Sequence, residues 1–183
     1  MKIRLFAENQ EEIDTIAYHS TSRKNIESIL KNGIRCTPYK KNYHPLADTD
    51  KCFVFGYPPN GLDQDLEFWP HNAEIKNEDL DDKWYVAFIA RNATIGDLRL
   101  EGIKTEYLKR TYKYETYLEK ELRYMLHEPE VVVVGTVGSV DVINALPYSE
   151  TVTIFNKCKE QYNMNTIEFV RCFNMIFTTN KEP

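Results

Sequence analysis

Four consecutive valines, Val131, Val132, Val133 and Val134, constrain this chain more than any other feature of it. β-Branched side chains are stiff in a helix and pack well on a pleated surface. A half-buried strand alternates apolar with polar residues, and this run does not alternate. It therefore predicts a central strand over residues 130–137 covered on both faces, and hence a layered fold with other elements above and below it.

The chain can supply those layers. Its 183 residues are the size of one ordinary domain, and 42% of them are hydrophobic. There is no repeat, low-complexity tract or evident linker, so a single α+β domain over residues 1–183 is the economical expectation. Further strands are expected at 15–19, 51–55, 84–90 and 151–155, where β-branched and aromatic residues cluster.

Helices are expected at 24–31, 105–126 and from about 139 to 146, with a weaker preference for helix over 167–179. In the first, Ile26, Ile29 and Leu30 share a face and Asn32-Gly33 stops the run. In the last, Asn165 and Glu168 have the spacing of a capping box. Residues 35–50 read as loop, Gly56-Tyr57-Pro58-Pro59-Asn60-Gly61 as a breaker cluster, and the acidic stretch to residue 82 as irregular outside 66–69.

Charge narrows the function classes. Lys and Arg number 23 against 28 Asp and Glu, a formal net of −5, which excludes a uniformly basic nucleic-acid binder. The tyrosines and basic residues between 104 and 123 are interleaved with glutamates, which argues against a single-strand binding groove. No apolar run approaches the roughly 20 residues that cross a bilayer, and the first residues have no apolar core of a signal peptide. The expectation is a cytoplasmic protein with no membrane partner.

Four cysteines and four histidines are scattered without the short spacings of a zinc or redox site, so no metal is expected. No G-x-S-x-G elbow supports a serine hydrolase, and Gly135-Thr136-Val137-Gly138 lacks the ending of a phosphate loop.

Two places remain where chemistry can sit. His19 closes a strand, and Ser20, Thr21 and Ser22 follow it with hydroxyls placed to cap the next helix. Glu128-Pro129-Glu130 stands immediately before the valines, where a rigid strand can present a fixed carboxylate. The ring of Tyr57 has the flat apolar area to lie over a planar ligand.

The order Tyr18-His19-Ser20-Thr21-Ser22, then Asn25-Ile26-Glu27-Ser28-Ile29-Leu30-Lys31-Asn32-Gly33, with Glu130 leading the valines, resembles the ADP-ribosyltransferase family. The matching stretches cover roughly a quarter of the chain. The resemblance implies split mixed or antiparallel β-sheets with flanking helices, and a mono-ADP-ribosyltransferase moving ADP-ribose from NAD to a macromolecular acceptor. It implies that His19 binds the ribose or nicotinamide side of NAD, and that Ser20, Thr21 and Ser22 shape the nicotinamide pocket. Arg23 would reach the pyrophosphate, and Tyr57 would stack on nicotinamide, with Phe55 and Trp69 as rivals. Glu130 would hold the nicotinamide ribose 2′-hydroxyl and stabilise developing positive charge. Glu128 resembles the first carboxylate of a Glu-x-Glu pair that guides a protein arginine acceptor, with nucleic acid or free water the other open acceptors. Ser20 stands where the family commonly has glycine. The alternatives are a catalytically silent nucleotide-binding or protein-interaction module of the same fold, and the related RNA 2′-phosphotransferase branch.

Overall fold

The computed structural model describes residues 15–38, 52–90, 94–95, 131–164 and 166–180. The expected helix at 105–126, Asn165, Glu128 and Glu130 lie outside these residues.

Among the described residues, seven strands form two sheets. Strand β1 (Thr15–Ser22), β4 (Lys83–Ala90) and β7 (Val142–Pro147) make the first, in the order β1-β4-β7. The second runs β2-β3-β6-β5, with β2 at Thr37–Pro38, β3 at Cys52–Gly56, β5 at Thr94–Ile95 and β6 at Val131–Val134. All the pairings between these strands are antiparallel. The valine strand sits between β3 and β5, the interior position that its composition predicts. A disulfide joins Cys36, just before β2, to Cys52 at the start of β3.

Alternation along β1 and β4 divides the core in two. On one face Tyr18, Tyr85 and Ala87 pack with Leu62, Leu66 and Trp69 of α2 (Leu62–Lys76), Phe155 of α3 (Tyr148–Gln161), and Phe169, Phe173 and Phe177 of α4 (Ile167–Thr179). On the other face Ala17, Val86 and Phe88 meet Ile26 and Ile29 of α1 (Ile26–Asn32) and Val54, Val131 and Val133 of the second sheet. Among the described residues the first sheet thus carries α2, α3 and α4 on one side, and α1 with the second sheet on the other.

Several expectations are corrected by contacts distant in the chain. Residues 139–146 are not helical: a 3₁₀ turn at Ser139–Asp141 leads into β7, because the run from Val142 pairs with the free edge of β4. Residues 151–155 are not a strand but lie within α3. Thr151, Ile154, Phe155 and Cys158 recur at helical spacing on its buried face, and Thr151 Oγ1 donates to Pro147 O at 2.9 Å. Residues 62–76 form α2 despite Pro70 in its interior. Proline cannot donate to the carbonyl four residues back; here that carbonyl, Leu66 O, accepts from Tyr148 Oη at 2.9 Å instead.

Leu30, assigned to the apolar face of α1, is half exposed, while Ile26 and Ile29 are buried. Helix α4 forms as favoured, with Thr166 as its N-cap: Thr166 Oγ1 accepts from Phe169 N at 3.3 Å. No described helix is long and apolar enough to cross a membrane.

Candidate functional site

Strand β1 continues through Ser22, so Ser20, Thr21 and Ser22 are strand residues and not the helix caps their hydroxyls suggested. A 3₁₀ turn, Arg23–Asn25, runs straight into α1, and neither element has a side-chain cap. The strand's two-residue period then divides the candidate residues. His19 registers with Val86, on the face toward the second sheet, whereas Ser20 registers with Tyr85, on the helical face.

His19 is held where the two sheets join. Its Nδ1 lies 2.7 Å from Phe55 O, and a carbonyl only accepts, so Nδ1 carries the proton and Nε2 is left with its lone pair. Burial pushes the imidazole pKa below its ordinary 6.5, opposed by the bond to Phe55. The ring is therefore a neutral acceptor at neutral pH.

This state predicts a pH signature. Because the folded protein favours the neutral ring, the unfolded chain binds more protons below pH 6.5. The stability His19 contributes is complete above that pH and declines as pH falls through the lowered folded pKa. Denaturation midpoints across this acidic range should fall more steeply in the wild type than in His19→Gln. Parallel profiles would show that the ring is not held neutral.

Two further residues of the neighbouring segment complete the junction. Tyr57 and Tyr18 exchange both backbone hydrogen bonds, at 2.9 and 2.8 Å, and Gly56 registers with Val131. Three consecutive residues, Phe55, Gly56 and Tyr57, thus meet His19, the first residue of β6 and Tyr18. Val131 is the residue after Glu130 in the chain. The Tyr57 side chain packs against the helical-face core, and its backbone pairs with Tyr18 of β1.

Beyond His19 a cleft of about 420 Å³ opens, lined in part by Ser20, Thr21, Ser22 and Arg23 and faced by Trp69 and Lys83. His19 and Tyr57 are not in its lining. Asn25 Nδ2 donates to Thr21 Oγ1 at 3.0 Å and to Ser22 Oγ at 3.3 Å. Each hydroxyl accepts from that amide and keeps its own proton to donate.

Four cations (Arg23, Lys24, Lys76, Lys83) face two carboxylates (Glu78, Asp82) in this lining, an excess of positive charge on an acidic protein. Lys83 Nζ is already engaged, 2.7 Å from both oxygens of Asp65, which also accepts from Tyr85 Oη at 2.7 Å. Burial first, and then the adjoining Asp65 charge, push the Tyr85 phenol far upward, so it stays a donor. Among the described residues Arg23 and Lys24 have no ion-pair partner, which leaves them to meet an anion. Trp69, one of the stacking rivals, already has Lys83 5.0 Å and Lys76 5.9 Å from its ring centroid.

Asn25, Lys83 and the Phe55 carbonyl were not singled out from sequence. A helical reading of Leu62, Leu66, Trp69 and Ala73 would have brought Trp69 to this face, but a backbone acceptor has no side-chain signature. Comparison of the chain with protein-family models, with curated proteins and with solved structures gives no match.

Proposed function

We propose that this protein is a mono-ADP-ribosyltransferase that takes ADP-ribose from NAD and places it on a macromolecular acceptor. The observation that carries the reading is the junction at β3. Phe55, Gly56 and Tyr57 bring the His19 strand into register with the strand that follows Glu130, across 111 positions of sequence. A pair of sheets meeting at that point is compatible with the ADP-ribosyltransferase-like arrangement that the sequence resembles.

The donor set suits a dinucleotide diphosphate. NAD, when bound, supplies the ADP-ribosyl group on a labile bond to nicotinamide. His19 accepts a hydrogen bond from a ribose hydroxyl at Nε2, the nitrogen left unprotonated when Nδ1 donates to Phe55 O. Arg23 supplies the positive charge for the diphosphate, and the Thr21 and Ser22 hydroxyls, oriented by Asn25, donate to its oxygens or to the nicotinamide amide. Ser20 belongs to the same lining. Glu130 stabilises positive charge at the reacting carbon, where a preorganised carboxylate lowers the barrier. Glu128 orients the acceptor. Tyr57 acts through its backbone pairing with Tyr18.

Incubation with labelled NAD and a cell lysate tests this directly. The wild type should label an acceptor, and Glu130→Gln should lower the rate about a hundredfold while NAD binding, measured by calorimetry, persists. His19→Ala should weaken binding. NAD binding without transfer by the wild type would assign the silent nucleotide-binding module instead. Unchanged transfer by Glu130→Gln would remove Glu130 from the mechanism, and no NAD binding would end the proposal.

A further inference from the structure

The two remaining cysteines stand outside the site just described. Cys158 on α3 is fully buried and Cys172 on α4 is half-buried, and their Sγ atoms lie 2.7 Å apart. Packed carbon atoms keep roughly 3.5–4.0 Å between centres, and sulfur is the larger atom. The thiols are therefore nearer than unbonded sulfurs rest, and a bond needs little movement of either helix. The helices pack against one another, with Phe155 edge-on to Phe169 at 5.2 Å holding the same interface.

We infer that Cys158 and Cys172 are a modification site: a dithiol that closes to an intrachain disulfide when it meets a low-molecular-weight disulfide. Exposure sets the order of events. Cys172, the one a reagent reaches, loses its proton and attacks, forming a mixed disulfide and releasing one small thiol. Cys158 then loses its proton, attacks the Cys172 sulfur and releases the second. Two protons and two electrons leave the protein, and the small disulfide becomes two thiols. Burial, reinforced by the hydrogen bond to Cys172, pushes the Cys158 thiol up to about 12, which disfavours Cys158 as the first attacker.

The closed bond would staple α3 to α4, which braces β1 from behind. Tyr18 Oη donates to Asn174 Oδ1 at 2.6 Å, and the Tyr18 ring sits edge-on to Phe173 and Phe177. The inference does not depend on transferase activity.

The test treats the full chain, with this pair reduced, with glutathione disulfide and follows it by non-reducing peptide mapping, which resolves Cys158–Cys172 from Cys36–Cys52. The expected product is a Cys158–Cys172 crosslink lighter by two hydrogens. The melting temperature should rise by roughly 5–10 °C, a rise absent from Cys172→Ser, which keeps the other pair. A persistent glutathione adduct on Cys172 without closure would overturn the inference, as would crosslinks only between molecules. Mapping of the wild type decides the question even if the variant does not fold.

Discussion

Phe173→Ala is expected to lower the unfolding free energy by about 3–5 kcal/mol. The side chain is fully buried on α4 at the centre of an aromatic cluster. Its ring meets Tyr18 edge-on at 5.0 Å and lies 6.0, 6.3 and 5.7 Å from the rings of Phe155, Phe169 and Phe177. Truncation removes apolar area and leaves a cavity bounded by α3, α4 and β1, three elements tied to other contacts and unable to collapse freely. Domains of this kind have only about 5–15 kcal/mol in total, so roughly a fifth of the margin or more is at stake. Urea unfolding should show a lower midpoint with an unchanged slope. Met175→Ala, on an exposed position of the same helix, should stay within about 0.5 kcal/mol. A loss near that size for Phe173 would mean the cluster is not packed as described.

Gly33→Ala should be of comparable severity, about 3–5 kcal/mol, for a different reason. Gly33 ends α1 at φ +83°, and a Cβ there would stand 2.1 Å from Val137 O and 2.8 Å from both Gly138 C and Ser139 N. All three are backbone atoms. Val137 O is also the acceptor for Ile34 N at 2.9 Å, so it cannot retreat without breaking the bridge between α1's exit and the segment after β6. Gly135 is the control. Its φ is +88°, but nothing lies within 4 Å of its added Cβ, so Gly135→Ala should cost only the conformational penalty of about 1–2 kcal/mol. Equal losses at the two positions would show that conformation, and not the close approach at Gly33, sets the cost.

β1, β3, β4, β6 and α1 are legible in the sequence because each carries its own periodicity or β-branched run, and α4 through the capping-box spacing of Asn165 and Glu168. Gly33 is legible because a helix exit at positive φ is a local requirement that glycine meets, although its ψ of −176° is extended and not left-handed helical. α2, α3 and β7 are not, because the deciding contacts are remote. The stretch that becomes α2 reads as irregular because Pro70 strands the Leu66 carbonyl, and Tyr148, 78 positions later, takes it up. Val142–Pro147 has no strand to belong to until β4 offers its edge.

The candidate site divides in the same way. Residue types alone marked His19 and the hydroxyls after it, since a strand end followed by polar groups is a local pattern. Tertiary structure alone decided that His19 binds the Phe55 carbonyl, that Ser20 turns to the opposite face, and that a cationic cleft forms on an acidic chain. Short-range sequence dictates which conformations a segment prefers. The partners of a carbonyl, an imidazole or an ammonium group are chosen only when distant strands come into register.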